Sequence, residues 1–295
     1  MINKSKVRQT ALNLIYTIEV NGGSAHAVDL NLFWSIAQEK ELDHYRQALA
    51  KALIHTTRAS ADTAALLQSK ADAALFTMQN HLPMAKLADG IERIRNSSAE
   101  FEAAVKALKY SLKDKRRDGT AQLGICCNNV INLAGVVEGL CQEITPSFAD
   151  FPELRKELQQ LEAAINRRTK TLCLCAELRH PQNLSDRPEF INLVRCANTL
   201  QELRPEVEKL ALGVVAHRQT LEAEIDKHLV NYSLPRIDTV DKCLLMLALY
   251  ELKINKLDTP IVVSEVTALA HDYSGGKSAP FIHGIISAAA AATHP

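Results

Sequence analysis

The run Cys243–Tyr250 (CLLMLALY) is apolar on every side. A helix without a polar face must be surrounded by protein. At eight residues it falls far short of the ~20 needed to cross a bilayer. Asp238 can cap its start, and Asp241 suits the positive end of its dipole. A second segment follows Thr259-Pro260, where proline fits a first helical turn. Val262, Val266, Leu269 and Ala270 recur there at helical spacing, and Gly275-Gly276 stops the run. A third helix begins near Ser278 and Pro280 and puts Phe281, Ile282, Ile285 and Ile286 on one side. One all-apolar helix flanked by two amphipathic ones predicts the core of a helical bundle.

The rest of the chain repeats the helical period. The 295 residues are enough for one large domain or two of ordinary size. Aromatics are only 5%, and Ala and Leu dominate, which favours helix over sheet. Val7, Ala11, Leu14, Ile15 and Ile18 form the stripe of a first helix over 5–19, ended by Asn21-Gly22-Gly23. A second helix spans about 27–40, and residues 42–80 are Ala-rich and helical. His81-Leu82-Pro83 interrupts, and Ser97–Glu100 has the form of a capping box before a further helix. Residues 120–144 are apolar enough to be central, and Pro146 ends them. Residues 152–178 carry Leu154, Leu158, Leu161, Ile165 and Leu172 in a seam that Arg168 breaks. HPQNLSDRP (180–188) reads as a loop, and Phe190 to Leu200 as a returning helix. A long helix follows Pro205 through Leu229, with its spacing drifting near His217. The expected class is all-α.

Thirty-four basic and 34 acidic residues leave no net charge, so no global field draws this chain to nucleic acid. The seven cysteines fall mostly in apolar helical patterns without a disulfide-type framework. Reduced, buried thiols in a cytoplasmic protein are expected. No apolar signal core opens the chain, and no membrane contact is anticipated.

One constellation is more specific than periodicity. Tyr232, Arg236, Asp241-Lys242, Tyr250-Glu251-Leu252, Pro260, Glu265, Ser278, Phe281 and Gly284 follow one another in an order and spacing that resemble the NusB family of bacterial transcription antitermination factors. Arg8, Ala11 and Tyr16 match the family's opening helix, and EVEKLALGVVAHRQTLEAEIDKHLVNY its third. DHYRQALAKALIHTTRASADTAALL, from Asp43, also resembles that third helix, but the later copy joins directly to Tyr232 and Arg236. The resemblance therefore implies a NusB-like helical domain from 1–40 and 205–295, with an inserted helical domain over 41–204.

What the family does is then an expectation here: binding of boxA-like leader RNA together with ribosomal protein S10 in a transcription complex. The RNA-facing residues implied are Lys4, Lys6, Arg8, Tyr16, Lys277, Phe281 and His283. Lysine and arginine neutralise phosphates, and aromatics stack on unpaired bases. Tyr16 and Phe281 also suit a helical core, and Lys4, Lys6 and Arg8 an ordinary basic terminus. His283 stands where the family usually has Asn, and Lys277 where acidic residues are common. Tyr250 and Glu251 match the face that contacts S10, although a charge ending an apolar helix also suits a solvated terminus. The basic runs Lys113–Arg117 and Arg167–Lys170 could extend an RNA surface or simply be solvated.

Enzymatic motifs are not convincing. Gly276-Lys277-Ser278 ends like a phosphate-binding loop, but His271 stands where its first glycine belongs. Glu41-x-x-His44 and Glu177-x-x-His180 have the spacing of di-iron bundles, but His180 precedes Pro181 at a helix end. No cofactor or metal is expected. The two functional expectations are a non-catalytic RNA-binding antitermination factor and a scaffold that keeps the fold without binding RNA.

Overall fold

The computed structural model describes residues 3–78, 84–113, 119–229, 233–274 and 278–291. Among them are twelve α-helices, short 3-10 turns and no strand. The chain divides into two compact units. One comprises 1–39 with 198–295, the other 40–197.

The first unit is organised by α10 (Thr239–Lys253). Every side chain from Cys243 to Glu251 is buried. Helices α1 (Lys4–Val20), α9 (Arg218–Lys227), α11 (Thr259–Tyr273) and α12 (Ala279–Ala291) all pack on it. Each fully buried leucine contributes about 1.5–3 kcal/mol relative to exposure. Asp238 occupies the N-cap position but makes no side-chain capping bond, contrary to the expectation for it. Asp241 is buried instead and accepts a 2.5 Å bond from Ser274 Oγ.

Local chemistry sets the ends of the other helices. Asn3 Oδ1 accepts from the backbone N–H groups of Ser5 and Lys6 at 3.0 and 3.3 Å, satisfying donors left open at the start of α1. Gly22 and Gly23 end α1 with φ of 95° and 75°, a region that favours glycine. Gly23 also lies against the Arg218 guanidinium, where a Cβ would stand 1.7 Å from Nη1. Asp29 caps α2 (Leu30–Ala37), and Trp34 Nε1 on that helix donates to Glu208 at 2.7 Å. The cap of α10 and the end of α1 are joined by charge: Glu19 Oε2 meets Lys242 Nζ at 2.6 Å and Arg218 Nη2 at 3.1 Å.

Helix α8 (Ile191–Ala216) differs from the sequence expectation. It begins before Pro205 and runs through it. Leu203 and Val207, on either side of the proline, are fully buried in the same core, and this packing keeps the segment helical despite the missing N–H. The drift near His217 is a real break, and α9 starts at Arg218.

The second unit is a helical bundle. Helices α4 (Ser60–Met78), α5 (Ala85–Lys113), α6 (Gly119–Ile144) and α7 (Arg155–Glu177) pack in sequence, and α7 closes back on α4. Before them lies α3 (Glu39–Thr56), separated from α4 by a break that the sequence reading of 42–80 did not resolve. The capping box is not realised. Ser97–Glu100 lies inside α5, because Ile91, Ile94, Ser98, Phe101 and Val105 continue one buried stripe. Arg168 does not disrupt the seam either: it is 0% exposed. Its Nη1 donates to Ser60 O and Oγ at 2.9 and 2.6 Å, its Nη2 to Glu102 at 2.7 Å, and it lies over the Phe101 ring. A buried guanidinium is tolerated when its charge is paired and most of its donors are occupied, as they are here for both terminal nitrogens. The 180–188 segment forms two 3-10 turns with Pro181 and Leu184 buried.

All seven cysteines are free. Burial pushes the thiols of Cys127, Cys175 and Cys243 up to about 12, so they stay protonated at neutral pH and pack as small apolar groups. Among the described residues, one stretch, Gly119–Asp150, is long and apolar enough to cross a membrane by length and composition. Its inward stripe belongs to the core of the second unit.

Two outcomes follow from this packing. Leu247→Ala should lower the stability of the first unit by about 2–5 kcal/mol in urea unfolding, since α10 has no solvent-facing side that could collapse around the cavity. The second concerns Glu224, which pairs with Lys253, Lys227 and His228. Hydrogen bonds from Lys253 and Lys227 hold its carboxyl down at about 2, against an ordinary value of 4.5. The ionised form thus favours the folded chain. Its contribution is complete above about pH 4.5 and is lost as pH falls toward 2. In Glu224→Gln the fall of stability across that window should be shallower than in the natural chain, as read from urea midpoints at each pH.

Candidate nucleic-acid and partner interface

Helix α1 carries its basic residues on two different sides. Lys4 and Arg8 are four apart and share a side, whereas Lys6 lies about 160° around the helix. Lys6 is half-buried, and on its side stand Gln9, Asn13 and the exposed Tyr16. Lys4 Nζ pairs with Glu206 Oε2 at 2.6 Å while both side chains remain solvent-accessible.

Arg8 does not stand with the surface cations. It is 6% exposed, and its Nε donates to both oxygens of Glu251, at 3.0 and 2.9 Å. Its Nη1 lies 3.4 Å from Glu265 Oε2. Two carboxylates therefore take up the charge that the sequence reading offered to phosphate. The same pairing alters the reading of Glu251, which is 4% exposed rather than a solvated helix end. Burial pushes its carboxyl above the usual range, and the Arg8 guanidinium pulls it back only in part.

Tyr250 is likewise buried. Its ring lies against His217, with centroids 5.5 Å apart. Gly213 on α8 makes room for it, since a Cβ there would fall 2.2 Å from the tyrosine oxygen. Tyr250 and Glu251 thus form the floor of a cleft of about 590 Å³ rather than an exposed face. Lys4, Glu206, Lys209 and Glu265 bring both signs of charge to its lining, and Leu257 and Ile261 bring exposed apolar surface. Periodicity could not single out Lys209 or Glu206. Ile261 did carry a signal, since it lies off the buried stripe of α11, whereas Leu257 precedes that helix.

On α12, Phe281 is half-buried and packs on the first unit's core, while His283 is exposed. Lys277, Gly275-Gly276, Tyr232, His81–Pro83, and Asp114–Arg117 of the basic run lie outside the described residues. Both α1 and α12 rest on α10, which is what ties the N-terminal residues to those near 281. In the second run, Arg168 is internal and so is lost to any RNA surface. Among the described residues, no three His, Cys, Asp or Glu side chains gather where they could hold a metal ion.

The first unit is a helical bundle built round a dry central helix, with one cleft of mixed charge and apolar lining at its surface. Comparison with known proteins gives it a family. The NusB family profile matches residues 165–291. The transcription antitermination protein NusB of Bacillus subtilis is 40% identical over 85 residues, 28% of this chain and 64% of that protein. That of Acidothermus cellulolyticus is 38% identical over 81 residues, 27% of this chain and 56% of the relative. For Campylobacter hominis the figures are 32% over 98 residues, 33% and 72%. The chain belongs to the NusB family. It spans less than two thirds of the first two of these relatives, and residues 1–164 lie outside the family match. No solved structure matches the chain.

The Arg8–Glu251 pair should act as an internal brace. Arg8→Met leaves Glu251 buried without its cation and should cost about 3–5 kcal/mol in urea unfolding. The double variant Arg8→Met, Glu251→Leu should cost clearly less, because no orphaned charge remains. Equal losses in the two variants would remove the pair from that role.

Proposed function

We propose that this protein is a non-catalytic antitermination factor that binds boxA-like leader RNA together with ribosomal protein S10. The family match over residues 165–291 is the observation that carries this reading. The surface chemistry supports it in outline. Lys6, Tyr16 and His283 offer a cation, an exposed ring and a hydrogen-bonding imidazole to a proposed RNA edge that would also take in Lys277 and Phe281, and Lys4 offers a second cation from the other side of α1. Arg8 serves this edge from inside, by holding the start of α1 against α10. The cleft above Tyr250 and Glu251, with its mixed charge and apolar rim, is the proposed seat of S10. A neutral chain with few free cations gains most from a partner that adds basic surface beside it. Such a complex works in the cytoplasm.

A second reading has an observation of its own. With no net charge and Arg8 taken up by carboxylates, the chain suits an interaction scaffold that keeps the fold without RNA. Fluorescence polarisation with boxA-like RNA, with and without S10, separates the two. The antitermination reading expects salt-sensitive binding that tightens with S10. Lys6→Ala and Lys4→Ala should each weaken it and reduce the salt slope by roughly one phosphate contact. Absence of salt-sensitive binding in both arms, with S10 still captured, establishes the scaffold instead.

A further inference from the structure

Charge is shared unevenly between the two units. Acidic residues outnumber basic ones in the first, and basic outnumber acidic in the second. Part of that surplus gathers on one side of α5. From Ala103 to Lys113 the helix holds three lysines and no acidic residue. Lys106, Lys109, Tyr110 and Lys113 fall within about 100° of arc, and all four are exposed. Among the described residues none of these lysines has a carboxylate partner. Helix α6, which packs along α5, brings no counter-charge, since nothing from Gly119 to Val137 is charged. Tyr110 is 82% accessible, an unusual position for so large a ring. The negative end of a helix dipole accounts for cations in a last turn, but not for an aromatic standing among them.

A groove of about 330 Å³ opens beside this side, between α4 and α5. Lys106 stands in it, and Ala64, Ala65, Ala99 and Ala103 keep its walls low. Arg95 and Glu102 also line it, but each is already paired, with Asp72 and Arg168 respectively. Ser98 lines it too, and its hydroxyl is buried without a partner among the described residues. An apolar occupant would leave that hydroxyl unsatisfied, whereas a polar one can meet it.

We propose that this side of α5, with the groove beside it, binds single-stranded RNA. Unpaired lysines with no acid among them attract a polyanion. An acidic peptide would answer the charge and leave the ring idle, but an unpaired base stacks on it. Bases in a duplex are stacked on one another, so the strand must be single. Lys106 and Lys113 lie about 10 Å apart along the axis, one on each side of Tyr110, and so can meet phosphates flanking the stacked base. The groove takes the adjoining sugar or base edge. This surface lies in the second unit, outside residues 165–291, and uses none of the residues of the RNA edge proposed above. The choice of RNA over DNA rests on the antitermination reading; the surface itself does not. Three phosphate contacts on a single strand give a salt slope of about −2, which is a loss of roughly 20-fold in affinity between about 50 and 200 mM salt.

Fluorescence polarisation of the full chain with a labelled oligouridine, free of any boxA sequence and without S10, tests this. Lys106→Ala, Lys109→Ala and Lys113→Ala should each lower the slope by about 0.7. Tyr110→Ala should weaken binding at least about fivefold with the slope unchanged, and Tyr110→Phe should restore it. All four positions are exposed, so helical circular dichroism should not change. Lys6→Ala should alter neither affinity nor slope, so failure of the boxA reading and failure of this one are separate results. Binding that is absent at low salt, or indifferent to Tyr110 and the lysines, overturns the proposal. So does displacement of the RNA by polyglutamate as readily as by unlabelled RNA, which would give the surface to an acidic protein. Tighter binding of the matching oligothymidine overturns the choice of RNA.

Discussion

The first unit depends on keeping α10 dry. A helix with no polar side needs neighbours all round, and α1, α9, α11 and α12 supply them. The cost falls at its ends, where polar groups are drawn in with the apolar ones. Asp241 is met by Ser274, Lys242 by Glu19 and Glu222, and Glu251 by Arg8. The partners come from both ends of α1 (Arg8 and Glu19), from α9 (Glu222) and from the end of α11 (Ser274), so the polar contacts align elements that hydrophobic burial alone would only gather. An apolar core is non-directional, whereas a charge buried beside the wrong partner is strongly disfavoured.

This arrangement shapes what the surface can do. Arg8 is close to the edge where RNA contact is proposed, yet its guanidinium is held inward by Glu251 and Glu265. It can influence that edge only by fixing the start of α1. Tyr250 and Glu251 act in the same way from below, as the floor of a cleft whose accessible lining is Lys4, Lys209, Leu257 and Ile261. Arg8, Tyr250 and Glu251 of the family pattern are buried here, and the accessible lining of the cleft stands beside them.

The second unit solves a related problem with one charged residue at its centre. Arg168 reaches Ser60 and Glu102, joining α7 to α4 and α5. Its Nε has no partner among the described residues, so the network is not saturated. The pairing still specifies which faces of three helices meet, a constraint that the Ala- and Leu-rich stripes do not supply. Helix α6 instead completes its inward side with apolar residues and carries no charge on any side from Gly119 to Val137.

How much was legible follows from these interactions. Periodicity marked the helical class, the buried stripes of α1, α11 and α12, and the complete burial of Cys243–Tyr250, because a helix reports its own apolar face along the chain. The spacing of Tyr250, Glu251, Pro260, Glu265 and Phe281 marked the family. Helix boundaries were less readable: Ser97–Glu100 and Pro205 carry boundary signals of modest strength, which the burial of Phe101, Leu203 and Val207 overrides. The partners of Arg8 and Arg168 were not readable at all. Arg8 is 243 positions from Glu251, and Arg168 is 66 from Glu102. An isolated basic residue looks the same in sequence whether its carboxylate or the solvent receives it. Sequence determined which faces had to be covered, since hydrophobicity is local to each helix; only tertiary structure decided which charges were covered with them, since pairing is a property of two elements at once.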